Sequence, residues 1–220
     1  MRRTLPALAL CSMLPLAASG LEATLSVGQQ GYSSGSSTVP APILWDIGYK
    51  ADTSTFVNIR LGYDVLSNAT GRLTVSLAHQ PEGSATLHVD STYGSVVSSL
   101  SSTYKHGYTA LGVLWTFKKA VEFGVGLDYR METMSFDAAS NVVGGSGFSM
   151  TGGSSSTSRP WARLNIAKAF PVSGNTFVAG AEAAFALASA PSLTESSSPD
   201  DAAKALAPKY QVGVYVGFRF

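Results

Sequence analysis

The chain has 220 residues, a formal net charge of +1 and only 13% charged residues. This low and balanced charge argues against nucleic acid or an acidic protein as the main partner. Hydrophobic residues make up 45% of the chain, yet no stretch after the N-terminus approaches the roughly eighteen continuous apolar residues of a membrane-spanning helix.

The N-terminus is typical of a secretory signal peptide. Two arginines precede an apolar stretch, Leu5–Leu16, which two prolines interrupt, and four small residues follow at 17–20. The short length and the prolines argue against a transmembrane helix. We therefore predict a signal peptide at residues 1–20 and one mature domain at 21–220. Because the single cysteine, Cys11, leaves with the signal, the mature chain can form neither a disulfide nor a thiolate metal site.

The mature chain alternates apolar and polar residues in ten segments. In the clearest one, every second residue from Val121 to Met131 is apolar, and Glu122, Asp128 and Arg130 lie between them. A period of two predicts β-strands with one apolar and one polar face. The predicted strands lie near residues 21–28, 43–50, 57–65, 72–77, 86–90, 110–117, 121–132, 161–166, 177–187 and 210–220.

The connections between these segments alternate between short and long, as in an up-and-down transmembrane barrel with both termini on one side. The link at 66–70 is a short exception on the long side. Turn-forming residues such as Asp52 and Pro81 mark the short links. Short links are predicted near 51–54, 81–84, 118–120 and 171–175, and long ones near 33–42, 94–103, 137–157 and 188–208.

The two faces of the strands differ in charge. The apolar face carries no Asp, Glu, Lys or Arg at mid-strand, where a charge in a bilayer costs about 2–4 kcal/mol. A soluble β-sandwich alternates as well, so aromatic residues at the strand ends favour the membrane interpretation. They lie near the short links (Tyr49, Phe117, Phe123, Phe170, Phe177, Phe218, Phe220) and near the long ones (Tyr32, Tyr63, Tyr104, Tyr129, Phe136, Tyr210).

These patterns predict an all-β fold: a closed, antiparallel, up-and-down transmembrane β-barrel. We predict ten strands, with eight or twelve as alternatives, because the fifth segment is weak and 94–103 can add or extend a strand. The inward charges are predicted to pair into a polar network that fills a narrow lumen, although inward glycines leave room for a thin water path. The network residues are Arg60, Asp64, Arg72, Glu122, Asp128, Arg130, Glu132, Arg163, Glu182 and Arg219.

The last strand ends in the aromatic residue Phe220. With the export signal and the alternating strands, it makes the chain resemble small bacterial outer-membrane β-barrel proteins of the porin-like and opacity-type superfamily, in architecture and without a subfamily. In that family the final strand is the recognition signal for the barrel-assembly machinery. One departure is Tyr215, which stands where a glycine is usual. The resemblance assigns the signal to Tyr210, Val212, Val214, Val216, Phe218 and Phe220.

The resemblance further implies the outer membrane of a Gram-negative cell, with membrane lipid and the assembly machinery as partners and a monomeric state. It implies no cofactor and no nucleic acid, and it does not indicate a surface ligand. Ten-stranded barrels include the omptin surface proteases, which resemble this chain in strand number but are longer. Their rim carries Asp pairs and an Asp–His pair.

One unit of this chain is comparable with that site, namely His88 and Asp90, which the spacing directs into the lumen. No second carboxylate pair and no hydrolase or metal motif accompanies them. We therefore expect no enzyme and no metal site. The first functional hypothesis is a structural or surface-interaction role with loops facing outward. A narrow channel for small solutes is the alternative, and a rim hydrolase the third.

Overall fold

The structure, a computed structural model, describes residues 20–39, 45–93, 96–141, 148–194 and 197–220. The predicted signal peptide therefore lies, except for Gly20, outside the described residues. Twelve strands and one helix are found in the described part of the chain. They are β1 (Leu21–Tyr32), β2 (Ser34–Val39), β3 (Trp45–Ala51), β4 (Ser54–Ser67), β5 (Gly71–Tyr93), β6 (Val96–Phe117), β7 (Glu122–Phe136), β8 (Ala139–Ser140), β9 (Ser149–Met150), β10 (Gly153–Val172), β11 (Asn175–Ala186), α1 (Pro199–Ala205) and β12 (Pro208–Arg219).

Eight of these strands form a ring of antiparallel pairs. The order around it is β1, β4, β5, β6, β7, β10, β11 and β12. β12 then pairs with β1 from Glu22↔Arg219 to Tyr32↔Pro208. The first strand of the ring therefore pairs with the last, and within the ring no strand edge is left open.

Two further strands of the sheet, β2 and β3, extend the ring at one end. β1 pairs with β4 as far as Gln30↔Ser54. The pairing of β2 with β3 begins at Ser34↔Lys50 and continues in the same register and direction. β3 also pairs with the far part of β5. The ring therefore has eight strands, which is one of the predicted alternatives, and the whole sheet has ten when β2 and β3 are included. The predicted second and fifth strands are the outer parts of longer ones.

Two of the predicted short links are not turns. β5 runs through 81–84 with a bulge, and the chain passes 51–54 without reversing. Turn-forming residues and an interrupted alternation mark a bulge as well as a turn, which explains the wrong prediction. The long link predicted at 94–103 is wrong, and the alternative that this stretch extends a strand is confirmed, because β6 begins at Val96.

The short connections gather at one end of the ring, here called the turn end. At Ser173-Gly174 both residues have positive φ, 45° and 86°, as a two-residue hairpin turn requires. The Asn68 side chain accepts hydrogen bonds from the N–H groups of Thr70 and Gly71, both at 2.9 Å. Lys118 N–H donates to the Thr70 carbonyl at 2.9 Å, so the link at 66–70 lies at the turn end and not on the predicted long side.

The other end, here called the loop end, carries α1 and the longer connections. In the strands near this end, apolar side chains face the inside of the ring and polar side chains face outward. At the β5 bulge the register with β6 shifts between Gln80↔Tyr108 and Gly83↔His106, and a one-residue shift turns every following side chain to the other face. A side chain at Gly107, opposite the bulge, would crowd the backbone of Gln80 and Glu82.

The half of the ring between the β5 bulge and the loop end, here called the loop half, encloses an apolar core. Leu87 and Val89 are fully buried in it, whereas the sequence had placed them on the lipid face. The core also includes Tyr32, Tyr104 and Phe136, three aromatics predicted for an outer girdle. α1 closes this core from the loop end with its own buried residues, Ala202, Ala203, Ala205 and the following Leu206 and Ala207.

The other half of the ring, between the β5 bulge and the turn end and here called the turn half, has an exposed apolar band around its outside. Aromatic side chains of neighbouring strands contact one another at the edge of this band. The ring centroid of Phe177 lies 5.4 Å from that of Phe218 and 6.2 Å from that of Phe170. Tyr63 lies toward this end and Tyr49 does not, the reverse of the prediction. The band comprises Leu25, Val27, Val57, Ile59, Leu61, Val75, Leu77, Leu111, Val113, Val125, Leu127, Leu164, Ile166, Val212, Val214 and Val216.

Among the described residues, no helix has the length and apolar character needed to cross a membrane.

Candidate functional site

The inside of the turn half is filled by charged side chains that balance one another. The alternation that puts apolar residues outside puts these polar residues inside, because both faces belong to the same strands. Six arginines and six carboxylates converge there: Arg60, Arg72, Arg130, Arg159, Arg163 and Arg219 with Glu22, Asp64, Glu122, Asp128, Glu132 and Glu182.

The layer nearest the turn end is a four-residue ion cluster. Arg219 Nη2 lies 2.9 Å from Glu22 Oε2 and 3.1 Å from Glu122 Oε2. Arg72 Nη2 reaches the same two carboxylates at 3.1 and 3.2 Å. Arg72 Nε also lies 4.0 Å from Asp64 Oδ1. The two arginines thus link β1, β5, β7 and β12 across the lumen.

The next layer is centred on Asp128. Arg60 donates to both of its carboxylate oxygens, at 2.8 and 3.1 Å. Arg163 and Arg130 lie 3.6 and 3.7 Å away from it. A side chain at Gly112 would collide with the carboxylate, so this glycine is what allows the close approach. Because Asp128 is almost fully buried, its charge is compensated only by these guanidinium groups.

Above Asp128 the guanidinium of Arg130 is stacked between two aromatic rings. Its Cζ lies 4.2 Å from the Tyr108 ring centroid and 4.0 Å from that of Trp161. Arg130 Nη1 donates to Gln211 Oε1 at 2.7 Å. Gln211 in turn donates to the side-chain oxygens of Gln30 and Gln80, both at 2.8 Å. Cation–π stacking and hydrogen bonds together fix this layer in place.

The last polar layer meets the apolar core of the loop half. Arg159 Nε donates to Glu132 Oε2 at 2.6 Å, and Arg159 Nη2 donates to the Pro208 carbonyl at 2.7 Å. His106 Nε2 lies 3.6 Å from Glu132 Oε1. The core residues and α1 lie directly beyond this layer, so described side chains fill the interior from the turn end to this core.

The ten residues predicted for the polar network all lie on the inner side of the ring. Glu182 faces Arg60 and Arg163 from β11 and interacts with them through its charge. Sequence reasoning missed Glu22 and Arg159 and the aromatic faces around Arg130. Arg159, Trp161 and Arg163 share one strand face, so extending the eighth predicted strand by two residues would have found Arg159.

Five of the six residues of the predicted assembly signal lie on β12, the strand that pairs with β1, and Phe220 directly follows β12. Val212, Val214, Val216 and Phe218 face outward and are about half-exposed, and Phe220 is 40% exposed. Tyr210 is half-buried. Tyr215, the departure from the family pattern, is buried inside the ring.

The predicted rim pair does not point into the lumen. His88 and Asp90 face outward in the loop half, because the bulge reverses their side. His88 Nε2 lies 3.0 Å from Asp52 Oδ2, and Ser101 Oγ lies 3.5 Å from His88 Nδ1. Asp90 accepts a hydrogen bond from Ser99 at 2.7 Å. Among the described residues, no group of three or more His, Cys, Asp or Glu side chains is arranged to hold a metal ion.

Comparisons with known proteins identify no family for this chain. No family model matches it, and no curated protein matches it. One similar solved structure is that of the outer membrane protease OmpT from Escherichia coli. The identity is 9%, the TM-score is 0.47, and the match covers 94% of this chain and 98% of the other. A likeness this weak carries no conclusion about the activity or the membrane of this protein.

Proposed function

We propose that this protein is a closed β-barrel of a bacterial outer membrane, exported by its signal peptide, with a structural or surface-interaction role. The observation that carries the proposal is the exposed apolar band around the turn half, over a ring whose charges are inside. Soluble monomers rarely expose contiguous apolar patches beyond a few hundred square ångströms. A continuous band is stable where lipid covers it, and a ring of strands satisfies the backbone inside lipid.

The edges of the band support the same placement. Six phenylalanines, Phe117, Phe123, Phe170, Phe177, Phe218 and Phe220, lie toward the turn end, and Tyr129 lies outward near the opposite edge. An aromatic girdle such as the one at the turn end is typical of an interface of a bilayer. In this placement the turn end is periplasmic, the loop end is external, and lipid and the assembly machinery are the partners of a monomer.

The filled lumen favours a surface role over the alternative of a narrow channel. A ring of eight strands is just wide enough for inward side chains to fill it. Here six arginines balance six carboxylates, and the apolar core with α1 follows them. A solute would have to break several buried ion pairs and displace the core to pass, so we assign the protein no transport function.

We also propose no catalytic role. The outward group of Asp52, His88 and Ser101 resembles a hydrolase triad only in its residue types. The side chains of His88 and Asp52 are 44% and 54% exposed, and the Ser101–His88 distance is at the limit of a hydrogen bond. Water screens such a pair, so it does not activate a nucleophile in the way a buried triad does. Replacing His88 with alanine is expected to leave any surface hydrolysis unchanged.

Gel mobility and bilayer conductance test the proposal. The mature protein, purified in detergent, should migrate differently on unheated and heated denaturing gels and resist protease before heating. Reconstituted in planar bilayers, it should give no conductance steps. A folded protein that stays soluble without detergent would contradict the membrane placement. Regular conductance steps would instead support the narrow channel.

A further inference from the structure

The loop end of the ring contains a small cavity, here called the outer pocket. It lies between β2, β3, the end of β7, the segment 148–151, the residue pairs 193–194 and 197–198, and α1, and its volume is about 220 Å³. An apolar protein cavity of about 150 Å³ is large enough to bind benzene, and pockets for drug-sized ligands begin near 300 Å³. The outer pocket therefore fits a molecule with one aromatic ring or a short aliphatic chain.

The lining of the outer pocket selects for an uncharged ligand. Its largest side chains are Ile47, Tyr49, Phe136, Phe148, Met150 and Leu193, and none of the described residues that line it is charged. A charged ligand would lose its hydration without gaining a counter-charge. Burial raises the pKa of the Tyr49 hydroxyl, so this group remains protonated and able to donate a hydrogen bond.

Hydrogen bonds between separate segments hold the walls of the outer pocket together. Ser37 Oγ donates to the Thr194 carbonyl at 2.9 Å. Phe148 N–H donates to Asn141 Oδ1 at 2.6 Å, and Asn141 Nδ2 donates to the Ser99 carbonyl at 2.8 Å. The cavity is thus bounded by parts of the chain that are fixed to one another, as a largely preformed ligand site is.

We propose that the outer pocket binds a small, uncharged, monocyclic aromatic molecule. The inference rests on the proposed membrane placement, because this placement puts the loop end on the outside of the cell. It gives the surface-interaction role a ligand class. The ring contacts the aromatic and aliphatic wall, and a hydroxyl or carbonyl on it pairs with the hydroxyls of the lining.

The test uses the full mature chain in lipid nanodiscs with 4-fluorophenol as the probe, followed by fluorine NMR. Saturable line broadening is expected that empty nanodiscs do not give. Leu193→Trp, which fills the pocket from its edge, should weaken binding about tenfold or more. Leu187→Trp is the matched control, since Leu187 is exposed and does not line the pocket, and it should bind as the unchanged protein does.

A second variant and a second probe keep the test decisive. Ser149→Trp enters the pocket from an exposed position and should also abolish binding. The charged isostere 4-fluorobenzoate should bind about tenfold more weakly or worse. Equal binding by both tryptophan variants and the unchanged protein, equal binding of the two probes, or uptake no greater than in empty nanodiscs would overturn the proposal. Gel mobility of the same samples separates this failure from failure of the membrane placement.

Discussion

The turn half and the loop half of the ring distribute apolar side chains in opposite ways, although they share the same strands. In the turn half, Val75 and Leu77 of β5 face outward and Gln80 faces inward. In the loop half, Leu87 and Val89 face inward and His88 faces outward. In the proposed membrane placement, one strand meets two solvents: lipid outside a polar interior, then water outside an apolar core. In β5 a bulge makes the change, whereas β6 keeps its even-numbered residues inward along its whole length and changes only their residue types.

Deleting Glu82 tests this comparison most severely. The deletion removes the extra residue of the bulge and turns Leu87 and Val89 outward. The burial of each of these side chains contributes roughly 1.5–3 kcal/mol to the stability of the fold. We expect the loop half to lose its order while the turn half remains a ring. Limited proteolysis should then cleave within the loop half of the unheated protein and leave the band strands protected.

A matched deletion controls for chain length. Ser192 lies in the connection between β11 and α1, and connections of this kind tolerate changes in length. Its removal should leave the proteolysis pattern unchanged. If the chain lacking Glu82 resisted protease as well as the chain lacking Ser192, the bulge would not be what separates the two halves.

The sequence predicted the turn half better than the loop half, for a physical reason. If lipid surrounds a strand in which charged and apolar residues alternate, the apolar residues must face outward and the charged residues inward. The inward network and the closing pair of strands were therefore predicted from the alternation. The same alternation in Leu87 and Val89 has the opposite meaning where water surrounds the strand. Pattern alone does not reveal a register shift, because the residues of a bulge such as Pro81 also form turns. Nothing in the composition of 199–205 predicted that this short helix closes the core.

The interior of the turn half is the next place to break the comparison. Replacing Asp128 with leucine leaves Arg60, Arg130 and Arg163 close together without their shared counter-charge. Removing one partner of a buried ion pair costs about 3–5 kcal/mol, so the temperature at which the gel mobility changes should fall strongly. Asp137→Asn is the control in the loop half, because its pair with Lys105 is exposed and such pairs contribute roughly 0–1 kcal/mol. Equal losses would show that the network is not a stabilising feature of the turn half.

The outer face of β6 gives a sharper version of the same comparison. Val113 and Thr103 lie on one face of one strand, the first in the apolar band and the second beyond it. Arginine at Val113 should cost about 2–4 kcal/mol in lipid. Arginine at the exposed Thr103 should change the free energy of unfolding by about 0.5 kcal/mol or less. Unfolding by urea in lipid vesicles measures both, and a similar cost at the two positions would contradict the boundary of the band.

The smallest effect is expected at the helix that closes the loop half. Ser198 caps α1: its hydroxyl accepts from the Asp201 N–H at 3.2 Å, and the Asp201 carboxylate accepts from the Ser198 N–H at 3.0 Å. Ser198→Ala should cost about 0.5–2 kcal/mol of local stability and speed hydrogen exchange of the α1 amides, with those of β7 unchanged. Ser192→Ala, at an exposed serine outside the cap, is the control.

The pH dependence of α1 tests the same cap without a mutation. Hydrogen bonds from Ser198 lower the pKa of Asp201, so the carboxylate stabilises the helix above its ordinary pKa near 3.9. That stabilisation is lost as the pH falls through the lowered pKa of the folded state. Exchange of the α1 amides, corrected for intrinsic rates, should therefore accelerate below about pH 4 in the unchanged protein, and much less in Asp201→Asn. An equal acceleration in both would mean that the loop half is closed by its buried alanines and Leu206 alone, and that the cap contributes nothing to closing it.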